Sequence, residues 1–395
     1  MPVSHSVPNR RTTCSADLHL LEGATITIED RLDVVDRNPE PIVKHAAEIC
    51  RETDLPELFA LFADWYKFNP RMRERDFFDW QFRDTPLRLS SGEYDFLVLR
   101  DGTGRIVGGL GMVGFQFRLG DRFDIGGWTH NWHAEGQANS GLRLFGRFTE
   151  LVDNRFLLRL NETSAGIVHM LRIPFLPAMP RWWAVIDADR AADLFGMTEA
   201  DRSILQSSAD SFLRAHTRAV AQQVPRLDPE EEFQLAHLEG ITGHVRRTGH
   251  YLNWRYVDIP RHDYKLIRTE RGLGVYRLET IMGTDNTSVR LLEWTFAPEE
   301  TCGALATVIA DAAPRNPILI DFHCTNRGCG DALIPFGFVP AGATQARMPD
   351  LFRPTYHSGG YAVAIDLPPH RTQRALDFNS WYITIGDSDI DRVKL

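Results

Sequence analysis

Two histidines stand three residues apart in the run Trp128-Thr129-His130-Asn131-Trp132-His133-Ala134-Glu135, and the small-residue run Gly136-Gln137-Ala138-Asn139-Ser140-Gly141 follows at once. Histidine titrates near neutrality, so His130 or His133 can serve as a general base without a large pKa shift; hydrogen-bonded histidines at a strand end are the structural alternative. If the strand stays extended, His130 and Trp132 share one face and Asn131, His133 and Glu135 the other. The small-residue run ends where a helical pattern begins, over 142–153. Unpaired amides at a helix start, approached closely past small side chains, make an anion site.

The elements that must position these residues occur twice. Phe77-Phe78-Asp79-Trp80-Gln81-Phe82-Arg83-Asp84-Thr85-Pro86 returns as Tyr251-Leu252-Asn253-Trp254-Arg255-Tyr256-Val257-Asp258-Ile259-Pro260. The motif itself reads as strand. After each copy come three alternating strands, 94–100, 106–117 and 124–132 against 264–268, 274–279 and 289–296, with Trp128 or Trp294 on the third. A helix (142–153 or 303–313), a strand (156–160 or 318–322), an asparagine (Asn161 or Asn326) and a closing strand (183–187 or 361–366) complete each copy. Such parallel order marks a duplication. Ahead of the first motif, a helix over 55–66 is predicted with Asp54 as N-cap, burying Leu55, Leu58, Phe59, Phe62 and Trp65 on one face. Residues 24–35 read as an added strand or hairpin.

The chain has 395 residues, enough for two cores, since single cores rarely grow past roughly 250–300 residues. Its division reads as an extension (1–50), a first unit (51–195), a helical linker (196–230), a second unit (231–370) and a tail (371–395). With 43% hydrophobic and 25% charged residues and a net charge of −9, composition is that of a soluble protein. No basic block points to nucleic acid, no apolar run is long enough to span a membrane, and no secretory leader is read. Five cysteines without a paired framework fit a reducing cytoplasm, with Cys324 and Cys329 beside His323 read as packed thiols rather than a metal site. Asp387, Asp389 and Asp391 read as a solvated acidic end.

The order of strand, hairpin, tryptophan strand, small-residue loop, helix, strand, asparagine and Gly-Phe step resembles the Gcn5-related N-acetyltransferase (GNAT) fold, here in tandem over about residues 50 to 370. The Trp-x-aromatic-x-Asp-x-Pro motif is similar to one in large GNAT-type proteins of sugar and surface-polysaccharide clusters. The resemblance implies an α/β (α+β) chain of two GNAT-like units, each a mixed, largely antiparallel sheet flanked by helices. It implies acetyl-CoA or another acyl-CoA bound by Thr129, Glu135, Gly136, Gln137, Ser140, Gly141 and Asn161 of the first unit. Glu135 stands where that family has Gln or Arg, and Ala138 replaces a glycine. The second unit, with Phe296-Ala297-Pro298-Glu299-Glu300-Thr301 in the same place, is a poor phosphate cradle. The family's proton-donating tyrosine falls on Val168 and Leu333; His169 adjoins the first. The implied reaction transfers an acyl group to a small amine, an amino sugar, nucleotide-linked ones included. His130, His133 or His169 would be its catalytic residues, and Arg255, Asp258 and His323 its acceptor-binding residues, in a cleft between units. The rivals are a tandem GNAT-fold assembly protein that has lost acyl-CoA binding, and an aminoacyl transferase of the Fem type.

Overall fold

In the computed structural model, residues 47–66, 70–135, 139–215, 221–235, 238, 240–261, 263–281, 284–342, 362–368 and 377–387 are described. The hairpin expected over 24–35 lies outside them.

The first half runs β1 (Glu48–Ile49), α1 (Leu55–Trp65), α2 (Arg75–Phe82), β2 (Phe96–Arg100), β3 (Ile106–Leu119), β4 (Arg122–Ala134), α3 (Ser140–Leu151), β5 (Arg155–Leu158), α4 (Glu162–Met170), β6 (Phe175–Leu176) and β7 (Arg181–Val185). Helices α5 (Ala188–Phe195) and α6 (Glu199–Ala215) lead to the second half. That half runs β8 (Gln222–Val224), β9 (Gly243–Val245), α7 (Gly249–Leu252), β10 (Lys265–Arg268), β11 (Leu273–Thr280), β12 (Thr287–Trp294), α8 (Pro298–Ala312), β13 (Pro317–His323), α9 (Arg327–Asp331), β14 (Val339–Pro340), β15 (Val363–Asp366) and β16 (Trp381–Tyr382).

Helix α1 buries Leu55, Leu58 and Phe62 as its spacing requires, but Asp54 does not cap it. A short 3₁₀ turn leads directly into the helix, and the Asp54 carboxylate instead accepts from Arg51 N at 2.9 Å and Arg100 Nη2 at 2.7 Å. The repeated aromatic motif is helical, not a strand: the first copy forms α2, and the second forms α7 and a π-turn over Asn253–Val257. Every side chain from Phe77 to Phe82 is buried, Asp79 and Gln81 included, so this helix is enclosed on every side. Both copies end alike, with Asp84 N bonded to Asp79 O and Asp258 N to Asn253 O, each at 2.8 Å, two residues before a proline. The two copies share one aromatic core that includes Phe78, Trp80, Phe82, Tyr251, Trp254 and Tyr256.

The fold is α+β with two mixed, largely antiparallel sheets, and after its motif each half follows the element order expected of it. Sheet one is ordered β1-β2-β3-β4-β5-β15-β6 and sheet two β14-β7-β13-β12-β11-β10-β8. In each, the single parallel contact of the main path joins the tryptophan strand to the strand after the helix, β4 to β5 and β12 to β13. The closing strands change places. β7 belongs to the first half in sequence yet lies between β13 and β14, while β15 comes back from the second half to lie between β5 and β6. An arginine–aspartate pair ties each exchanged strand: Arg181 to Asp321 at 2.8 Å in the buried interior of sheet two, and Arg155 to Asp366 at 2.7 Å in sheet one.

Candidate functional site

β3 and β4 pair with an interruption. Gly111 faces His130 and Gly109 faces His133, so three steps along β4 match two along β3. The extra residue is a bulge, and Asn131 within it adopts a left-handed φ of 49°. The bulge overturns the alternation expected for this strand. Gly109 and Gly111 lie on one face of β3, so His130 and His133 share that face. Trp132 turns to the other, stacking on Phe145 of α3 at 5.2 Å and donating Nε1–H to Gly141 O at 3.2 Å. Glycine is required at position 111 because a Cβ there would stand 2.3 Å from the Phe82 ring.

His133 is half-buried and lies against the Trp65 indole, the last residue of α1, with ring centroids 4.2 Å apart. Its Nε2 is 3.7 Å from Glu135 Oε1, and the same oxygen accepts the Trp65 indole N–H. Burial lowers the His133 pKa, opposed by the Glu135 carboxylate, so the ring is neutral at neutral pH. Glu135 thus aims at α1 and His133, with its N–H on Val107 O at 2.8 Å. His130 is buried, 3% exposed. Thr129, paired with Met112, is half-buried on the same strand.

Gly136 and Gln137 lie outside the described residues. Asn139, at φ 70°, precedes α3 without capping it through its side chain, and the first turn of α3 has no acidic residue. Ser140 is buried at the first helical position and Gly141 half-buried at the second. Such a helix start favours an anion. Asn161 caps α4, accepting from Ser164 N at 2.8 Å. β4 and β5 pair only at Gly127/Arg155 and Trp128/Phe156, although β4 runs on to Ala134. Strand end, bulge and helix start therefore converge beside the end of β4–β5 pairing.

The corresponding region of the second half is filled by the chain itself. Trp294 N donates to Tyr382 Oη at 3.0 Å, Thr325 N to Ile383 O at 2.9 Å, and Cys324 bridges Thr384. Arg255 Nε donates to Gly386 O at 2.8 Å. Asp387, expected in a solvated acidic end, is buried: it accepts from Arg247 Nη2 at 2.7 Å and Thr384 N at 2.9 Å. Arg247 also faces Glu293 at 3.3 Å, and Tyr256 Oη donates to Glu293 at 3.0 Å. Burial raises the Glu293 pKa to about 7 against the pull of Arg247. The start of α8 is likewise satisfied internally, with Ala297 N donating to Glu300 Oε2 at 3.3 Å.

The other expected site residues do not join the first-half cluster. His169 is exposed in the last turn of α4. Arg255, expected to reach solvent, is 1% exposed because its guanidinium serves the 381–387 segment. Asp258 is exposed and held by both Nη atoms of Arg226 at 2.7 Å. His323 is buried in sheet two, 3.8 Å from Asp321, and burial drives its pKa well below the ordinary value. A groove lined by Ser203, Ser207, Ser211 and Phe338 carries none of these residues. Sequence reasoning missed Trp65 as the partner of His133, since only the fold brings 65 beside 133.

Comparison with solved structures finds N-myristoyltransferase of Saccharomyces cerevisiae with bound myristoyl-CoA and inhibitors, at 11% identity and a TM-score of 0.48, covering 84% of this chain and 82% of that one. The likeness is one of fold. A second structure of the yeast enzyme with bound myristoyl-CoA has a TM-score of 0.45 at 11% identity, with coverages of 84% and 81%. A conserved protein of unknown function from Enterococcus faecalis V583, described as a probable N-acyltransferase, has a TM-score of 0.43 at 10% identity and covers 70% of this chain. The chain spans 65% of that protein's length. No protein-family model and no curated protein matches the chain.

Proposed function

We propose that the protein is an acyl-CoA-dependent N-acyltransferase whose first half carries the chemistry. The observation that supports this reading most is the asymmetry between halves. The start of α3 carries neither an acidic first turn nor a side-chain cap, whereas the start of α8 is occupied by Glu300 and the adjoining end of β12 by residues 381–387. Amides at the start of α3, with Ser140 and Gly141, would hold the cofactor's pyrophosphate, and Thr129 and Asn161 would contact the same cofactor. When bound, acyl-CoA supplies an activated thioester.

The chain's own task is to bring an amine to that thioester and remove its proton. An ammonium group is not a nucleophile until it loses a proton, and a neutral imidazole can take it. His133 fits this role: burial keeps it neutral, and Trp65 and Glu135 fix its ring. The acceptor class is a small amine, an amino sugar in surface-polysaccharide synthesis, with its site on the His133 face of β4. Among the described residues no helix is long and apolar enough to cross a membrane.

Calorimetric titration with acetyl-CoA and with free CoA tests the proposal. Saturable binding at one site per chain is expected. Absence of binding by the folded protein would overturn the reading.

A further inference from the structure

Gln81 is the inner residue that the second copy of the aromatic motif replaces with a charge. It lies on α2 between Trp80 and Phe82 and has no exposed surface. Neither Oε1 nor Nε2 of its amide has a hydrogen-bond partner among the described residues. A buried amide left in that state is unfavourable, so its retention calls for an explanation.

The second half indicates that use. Trp80 Nε1 donates to Trp254 O and Trp254 Nε1 to Trp80 O, so the two motifs meet about an approximate two-fold axis and Gln81 corresponds to Arg255. The Arg255 guanidinium holds a peptide carbonyl, Gly386 O, at 2.8 Å. Gly386 rests on the bulge of β12: Tyr276 pairs with Leu291 and Val275 with Glu293, leaving Leu292 between them. A Cβ at Gly386 would stand 3.1 Å from Leu292 O and 2.2 Å from Tyr256 Oη. A side chain at this motif position therefore reaches a peptide group lying on the bulge. In the first half the matching bulge is at Asn131, beside His133.

We propose that Gln81 binds a secondary amide of a substrate lying on the β4 bulge, its Nε2–H₂ donating to the amide carbonyl and its Oε1 accepting the amide N–H. The inference rests on the reading of the first half as the acyl-CoA site and assigns that site a side-chain contact. Two sources offer the chemistry: the pantetheine arm of CoA, which carries two such amides, and an N-acylated sugar acceptor.

Gln81→Met keeps the length and apolar stem of the side chain and removes its amide; Gln81→Leu is the second variant should the first fail to fold. Each is titrated with CoA, with adenosine 3′,5′-bisphosphate, which lacks the pantetheine arm, and with N-acetylglucosamine. The expected result is CoA binding weakened at least tenfold, unchanged binding of the bisphosphate, and a melting temperature equal to or above that of the natural protein. Weakened N-acetylglucosamine binding with CoA untouched would assign the amide to the acceptor instead. CoA and N-acetylglucosamine binding both unchanged would overturn the role of Gln81 while leaving the acyl-CoA site standing. A natural protein that binds neither CoA nor the bisphosphate would overturn the underlying reading and this contact with it.

Discussion

Trp80 and Trp254, 174 residues apart, stack with ring centroids 5.0 Å apart and planes 20° from parallel, each indole N–H bonded to the other's carbonyl oxygen. One contact thereby joins the two copies of the motif at equivalent positions. Removing either ring abolishes the stack and the hydrogen bond that this indole donates. Trp80→Ala and Trp254→Ala should each cost about 3–5 kcal/mol, with the double variant falling short of the sum by more than about 0.5 kcal/mol. Urea unfolding of the four proteins measures this, and strict additivity would refute a shared contact.

His133→Gln should lower kcat by about 10²–10⁴-fold with the fold intact if the ring removes the acceptor's proton. The base works in its neutral form, above its pKa, and burial against Trp65 lowers that pKa. Activity should therefore persist below the ordinary histidine range. Trp65→Leu exposes the ring, raises its pKa and moves the acid limb of the kcat/KM profile to higher pH; an unmoved limb would reject His133 as the titrating group.

Gly141→Asp separates helix stability from cofactor binding. A Cβ at this position meets Trp132 Nε1 at an ordinary 3.6 Å, so the site admits a side chain. A carboxylate in the first turn of α3 favours the helix dipole by about 0.3–1 kcal/mol yet repels a pyrophosphate. Thermal stability should hold or rise while CoA affinity falls at least tenfold, as calorimetry would read. Unaltered affinity would place the pyrophosphate elsewhere.

Glu293 makes the packing of the 381–387 segment sensitive to pH. Its folded pKa of about 7 lies above the ordinary 4.5, raised chiefly by burial. The folded protein therefore holds this proton more tightly than the unfolded chain does. The resulting stability is fully present below about pH 4.5 and is lost as pH rises through 7. Glu293→Gln should flatten the fall of the urea midpoint between pH 5 and 7.5; an identical slope in both proteins would assign it to other groups.

Asp321 carries a second buried network. Burial opposes its charge, yet Arg290 and Arg181 overrule that and hold its carboxyl below the usual range. Asp321→Asn leaves two buried guanidinium groups short of their counter-charge and should cost about 3–5 kcal/mol. A loss under 1 kcal/mol by denaturant unfolding would show the arginines rescued by other acceptors.

Local pattern made much of this fold legible. Apolar spacing located α1, α3 and α8, alternation located β2–β4 and β10–β12, and Asn161 and Asn326 cap their helices as side chains of that kind do. Where the answer lay in tertiary partners, pattern failed. Asn131-Trp132 announces a bulge only weakly, because asparagine and not glycine takes the left-handed position, and one inserted residue reverses the facing of His133. The aromatic motif carries β-favouring residues, and only burial on every side makes it helical. Asp387 looks like a solvated end because its partner Arg247 is 140 residues away. The contrast between Gln81 and Arg255 was visible in the repeat itself, but its meaning depends on where Gly386 lies.

The exchange of β7 and β15 makes each half the keeper of the other's last strand. Parting the halves means unzipping β7 from both β13 and β14 and β15 from both β5 and β6, so the peptide link between β7 and β8 is not what holds them together. A chain nicked there would stay one particle. A single-copy forerunner could make the same pairings only as a dimer whose partners had traded strands, which makes the duplication a covalent record of an interlaced pair.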